Sequence, residues 1–178
     1  MTHNASAIWT APSVTRVDEP LVAGERAVLD GFLDWYRATL LHKCTGLSAE
    51  QLAQQSAPPS NLSLLGLIRH MAEVERAWFR LRFGGQQIDR LYMTEEHPDA
   101  DFESASPESA ESDYAVFLGE LDAARAAAAG HELDETFVGR GGKPICLRWV
   151  YVHMIEEYAR HCGHADLIRE RIDGTKGS

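Results

Sequence analysis

Apolar residues recur at spacings of three and four over four stretches of the chain, and no stretch shows the strict alternation of a half-buried strand. Over 21–43, Val22, Leu29, Phe32, Leu33, Tyr36, Leu40 and Leu41 keep the helical spacing and predict an amphipathic helix stopped by Gly46. Ser48-Ala-Glu-Gln51 has the form of a capping box and predicts a short helical turn before Pro58 and Pro59. Ser63 is a suitable N-cap for a helix over 64–83, where Leu64, Leu67, Ile68, Met71, Val74, Trp78 and Leu81 make a broad apolar stripe that Gly84 and Gly85 close. Ser106-Pro107-Glu108 opens a third long helix over 107–129, with Tyr114, Phe117, Leu118, Leu121 and Ala124 inward and Gly130 at its end. The fourth runs over 145–174 and stops at Gly174.

Between these helices the pattern lapses. Residues 1–20 carry Trp9, Pro12 and Pro20 without a period and read as an extended arm whose Trp9 anchors on the body; 175–178 read as a polar tail. Residues 86–107 are acidic and aperiodic, a connection long enough to suggest a function, and Tyr92, Met93 and Phe102 suit it to cover one end of the helices. His97 in that segment reads as an exposed loop histidine, and His131 as a partner for the helix end before it. Residues 134–144 read as a second loop, whose glycines lack the strand and spacing of a phosphate-binding loop. Four long helices with no credible strand predict an all-α protein, a four-helix bundle over 21–174.

Charge narrows the partners. The 178 residues carry 27 acidic and 17 basic side chains, a formal charge of −10, with three lysines and scattered arginines. Nucleic acid, bound through clustered Lys and Arg, is therefore not expected. No apolar run approaches the roughly 18 residues of a membrane span, and the first twenty residues show no secretory pattern, so a cytoplasmic protein is expected. Cys44, Cys146 and Cys162 are odd in number and widely spaced, which argues for packing roles rather than a disulfide framework.

The chemistry concentrates on the last helix. His153, Glu157, His161 and His164 follow one another at steps of four, four and three and share one stripe, with Arg160 at its margin and packed surface beside it. Imidazole nitrogen and carboxylate oxygen are ligands a borderline ion such as Zn²⁺ accepts, and two of them one turn apart can chelate one ion. The stripe allows His153 with Glu157, Glu157 with His161, or His161 with His164, and any such pair needs a third ligand from elsewhere. His70 lies beside the apolar stripe of 64–83 and reads either as a core histidine bonded to a carbonyl or as that ligand.

With LLGLIRHMAEVERAWF in the second long helix and HMIEEYARHCGHADL in the last, the chain resembles the DinB-like superfamily, in particular its actinobacterial mycothiol-dependent branch, over roughly 21–174. The resemblance implies a down-up-up-down bundle holding zinc, or nickel or another divalent metal, through a histidine on the second helix and a pair on the last. Most members use His-x-x-x-His, whereas the mycothiol-dependent maleylpyruvate isomerase variant uses Glu-x-x-x-His, and this chain offers Glu157-Tyr-Ala-Arg-His161. The implied ligands are His70, Glu157 and His161. His153 and His164 then become neighbours suited to proton handling, and Arg160 or Arg69 could hold a carboxylate of the cofactor or electrophile. Where many members of the family have a glutamine after the last ligand, this chain has His164 three residues after His161, suited by the resemblance to orient a substrate or a water.

Three protein ligands leave one position open, as in catalytic zinc sites. The implied activity is thiol transfer: a low-molecular-weight thiol, mycothiol or similar, is held as thiolate for attack on an electrophilic small molecule. A hydrolase using metal-bound hydroxide, with Glu156, His153 or His164 moving the proton, is the second expectation. The third is a non-enzymatic bundle whose acidic loop and apolar seams serve a partner. Related bundles often dimerise, and Trp9 with Trp35 could supply apolar surface for a homodimer or serve equally as core or tail anchors.

Overall fold

The computed structural model describes residues 9–177. Its helices are α1 (Glu25–Cys44), α2 (Ala49–Ala53), α3 (Leu64–Glu75), α4 (Ala100–Glu103), α5 (Ala110–Ala128) and α6 (Leu147–Asp173). A π-helix, Arg76–Phe83, continues α3, and a 3-10 turn, Pro107–Ser109, leads into α5. The protein is thus mostly helical, and no helix among the described residues is long and apolar enough to cross a membrane.

The four long segments share one core. Leu33 and Leu40 of α1, Leu67, Ile68 and Met71 of α3, Phe117 of α5 and Val150, Met154 and Tyr158 of α6 are all fully buried within it. α6 lies chiefly along α1 and also meets α3, while α3 packs on α5. Two of the expected N-caps are in place, whereas Ser106 precedes the 3-10 turn without a side-chain capping bond. Ser48 Oγ accepts from Gln51 N–H while Gln51 Oε1 accepts from Ser48 N–H, and Ser63 Oγ accepts from Gly66 N–H at 3.0 Å. Gly174 ends α6 at φ 80°, a left-handed conformation that favours glycine.

Four details differ from the periodicity. α1 begins at Glu25 rather than at 21, because Gly24 takes the N-cap and Leu21 and Val22 lie outside the helix, almost fully exposed. Leu118 is exposed, since only one side of α5 meets the core. The segment 86–107 contains the short helix α4. The expectation of no strand is also overturned: β1 (Thr136–Val138) pairs antiparallel with β2 (Pro144–Cys146), Phe137 opposite Ile145. Three-residue strands are too short to show an alternation, and their turn closes through Gly141 and Gly142, both at positive φ. α6 accordingly starts at Leu147.

The arm lies along the body from residue 9 onward. Ala11 N–H donates to the Leu47 carbonyl at 2.9 Å, Gly46 N–H donates to the Ala11 carbonyl at 2.9 Å, and Trp9 meets Tyr114 edge-on. Residues 1–8 of the expected arm and Ser178 of the expected tail lie outside the described residues.

Candidate metal centre

α3 and α6 bring three donors together. His70 from α3 and Glu157 and His161 from α6 each offer one ligand atom, and these atoms lie within 4.8 Å of one another. Ligands about 2.0–2.1 Å from a tetrahedral zinc are separated by roughly 3.4 Å, so the three atoms would have to draw closer to hold an ion together. On α6 the pairing is direct: His161 Nε2 lies 3.5 Å from Glu157 Oε2. Two imidazoles and one carboxylate suit a borderline divalent cation.

The surroundings of the two histidines suit them to this role. His161 is buried, and burial, reinforced by His70 and His164 nearby, pushes its pKa down to about 4, so the neutral, ligating form dominates at pH 7. His70 Nδ1 lies 2.7 Å from Asp101 Oδ2, which leaves Nε2 as its available donor. Phe102 stacks on the His70 ring, centroids 4.7 Å apart at 25°, and the ring meets His161 at 4.8 Å. Gly66, one turn earlier on α3, permits this approach, because a Cβ there would stand 3.2 Å from Phe102 Cδ1.

The other candidates sit around the cluster. His153 Nε2 lies 3.5 Å from Glu157 Oε1, and its ring is stacked on Trp149 at 4.9 Å and meets Trp78 at 4.7 Å. His164 Nδ1 lies 3.4 Å from His161 Nδ1, so one of the two carries the proton. His153, Glu157, His161 and His164 thus form a continuous polar row along α6. Arg160 is exposed and paired with Glu156. Arg69 is buried, and its donors go to the Asp101 and Ala100 carbonyls and the Asp113 carboxylate, with Tyr92 under its guanidinium at 3.9 Å.

Sequence reasoning missed Asp101. It stands in an acidic run whose members look alike, and nothing in its spacing links it to His70 thirty-one residues earlier. Trp149 also escaped notice as a neighbour of His153, although the separation of four residues on one helix carried that signal. Cys44 and Cys162 are buried, and burial pushes both thiols up to about 12. A cavity of about 720 Å³ lies elsewhere, between the arm, α1 and α5, and none of the three donors lines it.

A family model described as mycothiol-S-transferase matches residues 28–174, a span that runs from α1 to the end of α6 and contains all three donors. No curated protein matches the chain.

Proposed function

The chain belongs to the mycothiol-S-transferase family, and on that premise we propose that it is a metal-dependent thiol transferase joining mycothiol to an electrophilic small molecule. The observation that carries the reading is the convergence of His70, Glu157 and His161 from two helices onto one point. We assign these three as ligands of a divalent ion, zinc first and nickel next, and we read the four long helices as the down-up-up-down bundle of DinB-like proteins.

A divalent ion held there supplies one piece of chemistry: it keeps a coordinated thiol as thiolate at neutral pH. The chain's own residues do the rest. His70 and His161 donate neutral nitrogens and Glu157 donates one negative charge, so the ligand set leaves a net +1 that favours an anionic sulfur. The thiol gives up its proton, its sulfur forms a bond to the electrophilic carbon, and the electron pair of the broken bond leaves with the displaced group or is protonated. His153 and His164 are the groups positioned to handle that proton, His153 through its contact with Glu157 and His164 through His161. Arg160 at the exposed rim is the candidate to meet a carboxylate of the thiol or electrophile.

Metal content of protein purified without an affinity tag tests the assignment. Wild type should carry near one equivalent of zinc or nickel, and His70→Ala, Glu157→Ala and His161→Ala should each lose it. A wild-type protein that takes up no zinc from excess would overturn the reading. Loaded protein should then conjugate mycothiol to model electrophiles.

A further inference from the structure

Resting on the metal reading above, we infer that Asp101 is a positioning residue of the centre: its buried carboxylate fixes His70 as the Nδ1–H tautomer and so aims Nε2 at Glu157 and His161. A neutral imidazole carries one ring proton, and an ionised carboxylate only accepts. At 2.7 Å between His70 Nδ1 and Asp101 Oδ2, the proton therefore belongs on Nδ1 and the Nε2 lone pair is free. A ligating histidine whose other nitrogen donates to a carboxylate is oriented and made more basic by it.

The electrostatics of Asp101 point the same way. Its side chain is 1% exposed, and a carboxylate withdrawn from water so completely needs compensation. Its hydrogen-bond partners among the described residues are the His70 ring and, through Oδ1, the Phe102 amide at 3.0 Å. Neither bears a fixed charge. Arg69 reaches the Asp101 carbonyl, not the carboxylate, and spends its charge on Asp113. A dication on the far side of His70 is the counter-charge that fits this arrangement, transmitted through the imidazole.

The fold holds Asp101 in place from two consecutive residues of α3. Arg69 Nε donates to the Asp101 carbonyl at 2.8 Å and Nη2 to the Ala100 carbonyl at 3.0 Å, which fixes the backbone of α4. His70 takes the side chain, and Phe102 covers the ring face. The segment 86–107 is thus more than a cover, because one of its side chains sets the tautomer of a ligand.

Zinc affinity, read by competition with a chromophoric chelator, and the ring ¹⁵N NMR signals of His70 in the metal-free protein test this role on wild type, Asp101→Asn and Asp101→Leu. Wild type should show His70 protonated on Nδ1. Asp101→Leu should bind zinc about 10–100-fold more weakly and shift His70 toward the Nε2–H tautomer. Asp101→Asn, which keeps an acceptor without the charge, should hold the tautomer and lose less affinity. A His70 protonated on Nε2 in wild type, or Asp101→Leu binding zinc within about twofold of wild type, would overturn the inference. If the leucine variant does not fold, the wild-type tautomer and the asparagine variant still decide it, the latter by binding as tightly as wild type or not. Absence of zinc binding by wild type defeats the metal reading instead, a result the tautomer measurement separates from failure of the Asp101 contact.

Discussion

Tyr158 follows Glu157 on α6, about 100° further round the helix, and is buried in the core, where its hydroxyl donates to Glu75 Oε1 at 2.8 Å. Arg37 of α1 grips the same carboxylate through Nε and Nη2, both at 2.7 Å, and Glu75 is fully buried. Burial works against the charge on Arg37, but the facing Glu75 more than restores it and holds the guanidinium above its ordinary range. This triad ties α1, α3 and α6 at one level and fixes the rotation of α6 that turns Glu157 toward His70. Arg37→Met leaves the Glu75 carboxylate buried without a counter-charge and should cost about 3–5 kcal/mol; Glu75→Leu leaves Arg37 its bond to Asp34 at 2.9 Å and should cost less, and the double variant should recover much of the Arg37→Met loss. Denaturant unfolding of the three variants as a double-mutant cycle measures it, and additive losses would contradict the coupling. Beside the three candidate donors, Trp149 stacks on His153, whose ring lies near Glu157. If His153 moves a proton, Trp149→Ala should lower kcat by about tenfold, a fraction of the full effect of such a group, with zinc content unchanged; equal kcat in steady-state assays would remove His153 from the mechanism.

At the scale of elements, the segment between the π-helix and α5 is held by buried charge rather than by apolar packing alone. Glu73 of α3 is fully buried and accepts from Arg90 and from the backbone N–H groups of Leu91 and Tyr92, each at 2.9 Å, while Tyr92 donates to Asp113. Hydrogen bonds to a charged group contribute about 1.5–3 kcal/mol each. Glu73→Ala should therefore raise amide hydrogen exchange at Leu91 and Tyr92 by about 10–100-fold while leaving exchange in the middle of α6 unchanged, and unaltered rates at those two amides would show that the segment is held by other contacts. None of this could be read from the sequence. A glutamate in a helix of amphipathic pattern looks like solvated surface, and its partner sits in an aperiodic stretch that only the folded chain brings near. The long helices were legible because packing on one core imposes their spacing on Leu33, Leu67, Phe117 and Val150 alike. The row His153, Glu157, His161 and His164 was legible for the same reason, being a fact of one helix. The hairpin of β1 and β2 was not, since three residues per strand leave no period to find.

For the whole molecule, the donors come from two helices far apart in the sequence, so an ion held by all three would link α3 to α6 and couple its binding to global stability. A ligand that binds only the native state stabilises it by RT ln(1 + [L]/Kd), about 2.7 kcal/mol when the free ligand is a hundred times Kd. In a chain of this size each kcal/mol moves the midpoint by about 2–4 °C. Zinc at that excess should therefore raise the thermal midpoint of the metal-free wild type by about 5–10 °C, and a chelator should reverse the rise. His161→Ala, which removes a donor and leaves the core contacts of α6 in place, should show little or none. Differential scanning calorimetry across a zinc titration separates this from general cation binding to an acidic protein of formal charge −10. Non-specific binding gives a shift that magnesium reproduces and that survives in His161→Ala. A site built on His70, Glu157 and His161 gives one that magnesium, a reluctant ligand of nitrogen, does not reproduce. On the proposed function, in which the thiol would bind at an open position of the ion, mycothiol should add a further rise only in the zinc-loaded wild type. A mycothiol shift of equal size without metal would place the thiol elsewhere on the protein and detach the family's cosubstrate from this centre.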